Sequence, residues 1–202
     1  NAKLPETAAP QPTTPYAGAK AAAEIALREM GLRGLRTIIA RPFNHTGPGQ
    51  SIEFVVPAFA QQIARIKAGL SEPVIRTGSL DGARDFLDVR DVCAAYIAAI
   101  RRAQVLAPGE TINIASGKAR PIGEVLRLLR RFGGTSARVE SDTSRLRQND
   151  IVTIHGDASK AKELLDWEPR IPFEGTLRDT LAFWEKAVAA DAKQGSDAGK
   201  QS

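Results

Sequence analysis

The sequence predicts an α/β fold with mainly parallel strand pairing. Short β-branched runs alternate with segments whose apolar residues recur at helical spacing, and a proline or glycine punctuates most of the boundaries. No internal repeat interrupts the alternation.

Residues 1 to 15 carry Pro5, Pro10, Pro12 and Pro15, each fixing φ and lacking an amide donor, so this segment reads as an extended connector. "YAGAKAAAEIALREM", residues 16 to 30, is rich in strong helix formers, with Gly31 as the residue that ends it. "LRTIIARPF" is a buried strand stopped by Pro42, and it opens into the loop "NHTGPGQ", residues 44 to 50. Residues 55 to 68, "VVPAFAQQIARIKA", form a helix closed by Gly69. "EPVIRTGS" is a short strand, and "RDFLDVRDVCAAYIAAIRRA" passes from strand into a helix capped by Asp88 or Asp91. "ETINIASG" is the next strand, followed by the amphipathic helix "PIGEVLRLLRRFGG", entered through a proline and ended by glycines. Residues 138 to 155 are less regular, with a loop at "SDTSRLRQNDI" and a possible short strand at "VTIHGD". "DASKAKELLDW" is a helix capped by Asp157 or Ser159, and a last helix carries Leu177, Leu181 and Trp184 on one face. From about residue 190 the apolar content collapses, which predicts disorder.

A chain of 202 residues with 43% apolar content can bury a real core, as one large domain or two small ones. The formal charge of +5 would suit nucleic acid, but aromatics are only 5% and the basic residues are dispersed, so a phosphate-bearing small molecule explains the excess equally well. No nucleic-acid partner, membrane partner or metal site is expected. The single cysteine, Cys93, excludes an internal disulfide and is expected to pack on a buried helix face. No run of about 18 apolar residues marks a membrane span. The first residues lack both a secretory pattern and an initiator methionine, as expected of a chain that begins within a larger cytoplasmic protein.

Tyr16 and Lys20 stand four apart, on one helix face, where both can reach the same ligand. A tyrosine with its usual pKa of about 10 is a poor acid at neutral pH, but a neighbouring ammonium stabilises the phenolate. Such a tyrosine can protonate an oxygen while another group delivers hydride to the carbon. The spacing alone fits the first turn of a surface helix just as well.

The order "TPYAGAKAAAE", "RPFNHTGPGQ", "GSLDGARDFLDVRDV", "INIASGK" and "GDASKAKELLDWEPRIPFEGTLRDTLAFW" resembles the extended short-chain dehydrogenase/reductase family of nucleotide-sugar enzymes. It is most similar to the members that reduce or dehydrate GDP-linked mannose derivatives. The resemblance runs from about residue 4 to 187. It implies the C-terminal part of an extended Rossmann-like NAD(P)-binding fold with a smaller substrate-binding domain, the N-terminal Rossmann half being absent. Residues 1–50 would end the Rossmann-like domain, residues 51–187 would mainly bind substrate, and residues 188–202 would be a disordered tail.

Carried over by position, the resemblance makes Tyr16 the proton donor to the C4 oxygen of a GDP-4-keto-6-deoxy-mannose-like substrate. Lys20 would hold the nicotinamide ribose of NADP or NAD, with Pro42 and Phe43 also at the cofactor. Asn44 would meet the sugar-phosphate, Val55 would offer a backbone contact near the nucleotide, Arg84 and Arg147 would clamp the diphosphate, and Asp150 would meet the ribose. Paired guanidiniums suit a diphosphate because each donates two parallel hydrogen bonds. A surface ion pair of Arg84 with Asp85, or a solvated Arg147, are the plainer readings. His45 is assigned a positioning or packing role and His155 a structural one. A homodimer through helices that include the one at Tyr16 is implied.

Two departures stand out. Gln148 follows Arg147 where the family has proline, which loosens that loop. No glycine-rich dinucleotide fingerprint follows an N-terminal strand, nor is the family's serine upstream of Tyr16 present. The absent portion is on the order of a hundred residues, at about 30 per βαβ unit. Two other functions remain open: a dehydratase or epimerase using tightly bound NAD, and a non-catalytic nucleotide-sugar-binding module.

Overall fold

The computed structural model describes residues 3–142 and 153–198, with side chains as far as residue 193. In chain order the elements are α1 (Pro15–Leu32), β1 (Ile38–Pro42), β2 (Asn44–Thr46), α2 (Val55–Lys67), β3 (Val74–Thr77), β4 (Ala83–Asp88), α3 (Val89–Arg102), β5 (Glu110–Ile114), β6 (Ala119–Pro121), α4 (Ile122–Gly133), β7 (Arg138–Ser141), β8 (Thr153–Ile154), α5 (Ser159–Leu165) and α6 (Phe173–Ala198). They form two compact units. The first comprises Asn1–His45, Asp85–Ala119 and Ile154–Arg170; the second comprises Thr46–Arg84, Arg120–Thr153 and Ile171–Ser202. The chain passes between them within β2, β4, β6 and β8, and again just before α6.

In the first unit, α1 begins where the Thr14 hydroxyl accepts the Ala17 amide at 3.1 Å and Pro15 supplies a preset φ. Spacing predicts an end at Met30, with Gly31 beyond it. The helix instead runs through Gly31 to Leu32, and Gly34 takes the left-handed turn at φ +96°. Gly31 is needed for closeness: a Cβ there would lie 3.1 Å from both the Gly109 amide nitrogen and Thr37 Oγ1.

β1 pairs in parallel with β5, Ile38 opposite Glu110 through to Pro42 opposite Ile114. Ile112 and Ile114 of β5 join Leu87, Val92, Ala95, Ala99, Leu106, Leu165 and Trp167 in a core built from β4, β5, α3 and α5 with its flanking turns. Full burial of one such aliphatic side chain is worth roughly 1.5–3 kcal/mol. Trp167 Nε1 donates to the Asp91 carbonyl at 3.0 Å, so the indole is buried without an orphaned donor.

Asp88 caps α3, accepting the Arg90 amide at 2.8 Å. Its buried stripe is Asp91, Val92, Ala95 and Ala99. Cys93, expected inside, is exposed. Two positions from both Asp91 and Ala95, it stands about 200° around the helix and points away from the core.

In the second unit, α2, α4 and α6 pack on one another and β3 pairs in parallel with β7, Val74 opposite Arg138. Gly69 and Gly134 end α2 and α4 in left-handed conformations, at φ +70° and +64°. β7 is regular where the sequence reads as irregular. The largest difference is at the C-terminus, where α6 continues to Ala198 through the expected disordered tail. The Ala, Lys and Gln residues of this stretch are good helix formers, and Val188 is buried at 4% exposure.

Candidate active site

Tyr16 and Lys20 lie on the first turns of α1, with Lys20 Nζ 5.8 Å from the centroid of the Tyr16 ring. The tyrosine is 73% exposed, so its hydroxyl is open to a ligand. One turn beyond Lys20, Glu24 joins the half-buried stripe of Ala17 and Ala21. Arg41, at the end of β1, grips it with a planar fork: Nε and Nη2 donate to Oε2 and Oε1 at 2.9 and 2.6 Å. The remaining Arg41 nitrogen, Nη1, donates to the carbonyls of Glu6 and Ala8 at 2.9 and 3.4 Å. Hydrogen bonding to Arg41 outweighs partial burial and holds the Glu24 carboxyl below its ordinary range.

Past Arg41, β1 delivers Pro42, Phe43 and Asn44 in sequence. The Phe43 amide donates to the Ile114 carbonyl at 2.9 Å, and its ring lies against Gly156, where a Cβ would sit 2.6 Å from it. Asn44 opens β2 and is exposed, outside the loop that the sequence predicts from this position. His45 Nδ1 lies 3.0 Å from the Phe43 carbonyl oxygen. Tyr16, Lys20, Pro42, Phe43 and Asn44 therefore all belong to the first unit.

Val55 and Arg84 belong to the second. Val55 is the first residue of α2, whose N-cap Phe54 supplies no side-chain acceptor. Arg84 folds back along β4, Nη1 donating to the Ala83 carbonyl at 3.0 Å and lying 3.1 Å from where a Cβ on Gly82 would stand. Arg147 and Asp150 lie outside the described residues.

Asp85 is no half of a surface ion pair. Its carboxylate is fully buried and accepts the Ser116 amide and hydroxyl at 2.8 and 2.6 Å, the Gly117 amide at 2.9 Å and the Gly156 amide at 3.1 Å. Neither this hub nor the Arg41–Glu24 fork follows from the spacing of Tyr16 and Lys20. The available signals were an acid on an otherwise small, apolar helix stripe and an acid inside a strand, next to Phe86 and Leu87.

The GDP-mannose 4,6 dehydratase family model matches residues 1–180. The chain belongs to this family. Its relatives include GDP-6-deoxy-D-mannose reductase of Pseudomonas aeruginosa, 36% identical over 180 residues, a match that covers 89% of this chain and 58% of the relative. GDP-mannose 4,6 dehydratase 1 of Arabidopsis thaliana is 30% identical, with 86% of this chain and 47% of that protein covered. Among solved structures, the Pseudomonas aeruginosa protein RMD complexed with NADPH superposes with a TM-score of 0.81 at 35% identity, covering 88% of this chain and 58% of that one. A UDP-glucose 4-epimerase from Thermotoga maritima with UDP-glucose gives 0.80 at 28%, with 93% and 60% covered. The family likeness makes the fold Rossmann-like α/β, and this member spans about half the length of the curated relatives it matches.

Proposed function

We propose that the protein carrying this chain reduces the 4-keto group of a GDP-4-keto-6-deoxy-mannose-like substrate with NADPH or NADH. The observation that carries the reading is the Tyr16–Lys20 pair, an exposed phenol with an ammonium 5.8 Å from its ring, in a chain 36% identical to a GDP-6-deoxy-D-mannose reductase. The residues present suit one end of a dinucleotide: an open tyrosine hydroxyl and a lysine ammonium are donors for ribose hydroxyls. A glycine-rich cradle for the pyrophosphate is not among these 202 residues. The cofactor, when bound, would supply the hydride. Tyr16 donates its phenolic proton to the C4 oxygen as charge develops there, and Lys20 favours the resulting phenolate.

Asn44 then meets the sugar-phosphate, Val55 the nucleotide through its backbone, and Arg84 with Arg147 the diphosphate, while Asp150 takes the ribose. Anchoring charge remote from C4 lets binding energy orient the reacting carbon. A cytoplasmic homodimer is part of the same reading.

In the intact protein, Tyr16→Phe should leave GDP binding nearly unchanged and cut turnover by about 10²–10⁴. Turnover near wild type rejects the assignment. A second reading, dehydration of GDP-mannose, is favoured by the matching family model. Offering GDP-mannose and its 4-keto-6-deoxy product separately, and following which is consumed, decides between them.

A further inference from the structure

α1 carries the proposed reactive pair, yet Gly31 is its only buried residue. The stripe facing the rest of its unit holds Ala17, Ala21, Glu24 and Gly31: small side chains and one carboxylate. Methyl groups give little purchase against rotation about the helix axis, because little apolar area changes as they turn. Directional bonds do. At about 100° per residue, Glu24 stands about 40° around the axis from Lys20 and about 80° from Tyr16. Arg41 engages both oxygens of Glu24 while the same guanidinium holds the Glu6 and Ala8 carbonyls of the segment leading into α1.

We propose that Arg41 and Glu24 form a positioning clamp that sets the rotation of α1 and thereby the placement of Tyr16 and Lys20. The proposal rests on the reading that those two residues act on the substrate. Arg41 neither reaches the reacting atoms nor holds the ligand; its role is exerted through Glu24. At a radius of about 5–6 Å, a turn of about 10° moves a side chain by about 1 Å, and a displacement of that size can cost about 10²-fold in rate. Arg28 supplements the clamp, bonding Glu24 Oε1 and Thr111 Oγ1 at 3.0 and 2.8 Å from one nitrogen, but its single contact to the strand lacks the fork's fixed plane.

The test uses Glu24→Gln and Arg41→Lys in the intact enzyme, each keeping the size of the side chain while removing the charge or the fork. The expected result is a fall in kcat of about tenfold or more, with KM for the nucleotide sugar within about twofold and a cooperative unfolding transition that shows the variants folded. Folded variants that both keep kcat within about twofold overturn the clamp. A second readout needs no activity: in the 202-residue chain, amides of α1 in Arg41→Ala and Glu24→Gln should exchange hydrogen at least about tenfold faster than wild type, with α3 and α5 unchanged. Wild-type exchange in α1 in both variants also overturns it. A Tyr16→Phe enzyme with full turnover would remove the proposed function instead, leaving exchange to decide the clamp.

Discussion

The Gly156 amide donates to the buried Asp85 carboxylate across 3.1 Å, joining the turn after β8 to the middle of β4. Ser116 and Gly117 fill the rest of that carboxylate, so one side chain gathers three separate stretches of chain. Asp85→Asn replaces one acceptor oxygen by an NH2 group that faces amide donors. The loss should be about 2–4 kcal/mol, read from urea unfolding followed by the fluorescence of buried Trp167.

Gly82→Ala tests Arg84. The new Cβ would stand 3.1 Å from Nη1, and Gly82 does not have the positive φ that would strain an alanine. Stability should hardly change, whereas the displaced guanidinium should weaken GDP binding about three- to tenfold by calorimetry.

Glu24 gives a pH dependence whose sign follows from Arg41. Its folded pKa lies below the ordinary 4.5, so it stabilises the fold fully above that value, and the contribution disappears as pH falls through the depressed folded value. Comparing wild type with Glu24→Gln by urea unfolding, the stability gap at pH 7 should close on acidification below pH 4.5. A gap that widens would contradict the assigned direction.

The isolated 202 residues should bind GDP weakly and NADPH not at all, since arginines for a diphosphate are present and a glycine-rich cradle is not. Calorimetry with each ligand checks both halves. Firm NADPH binding by this chain alone would show that the cofactor needs nothing further.

Strand and helix order was legible because β-branched runs and helical stripes seldom coincide, and α2 and α4 end at Gly69 and Gly134 as their spacing requires. Gly31 misled because a glycine serving close approach to Gly109 and Thr37 looks the same in sequence as a helix stop. Cys93 misled because its alanine and valine neighbours suggest an apolar environment, while only the helical phase tells which of them face inward. Beyond residue 190 low hydrophobicity points to disorder, whereas the Ala, Lys and Gln residues there also favour the helix that α6 continues to Ala198. At the candidate site, Tyr16 and Lys20 were visible as a local pair. Arg41 with Glu24, and Asp85 with Gly156, join residues distant in sequence, and no local pattern records such contacts.

Each unit is assembled from three separated lengths of chain. A single break anywhere between residues 46 and 170 therefore splits both units at once. Recombination between relatives faces the same constraint: one crossover point cannot transplant either unit whole. Moving the Arg84-bearing unit onto another family member requires exchanging 46–84, 120–153 and the segment from 171 onward together, with joins falling largely inside strands. Inserted domains or tags are best tolerated at exposed loop tips such as the turn at Gly49, where the ladders continue undivided.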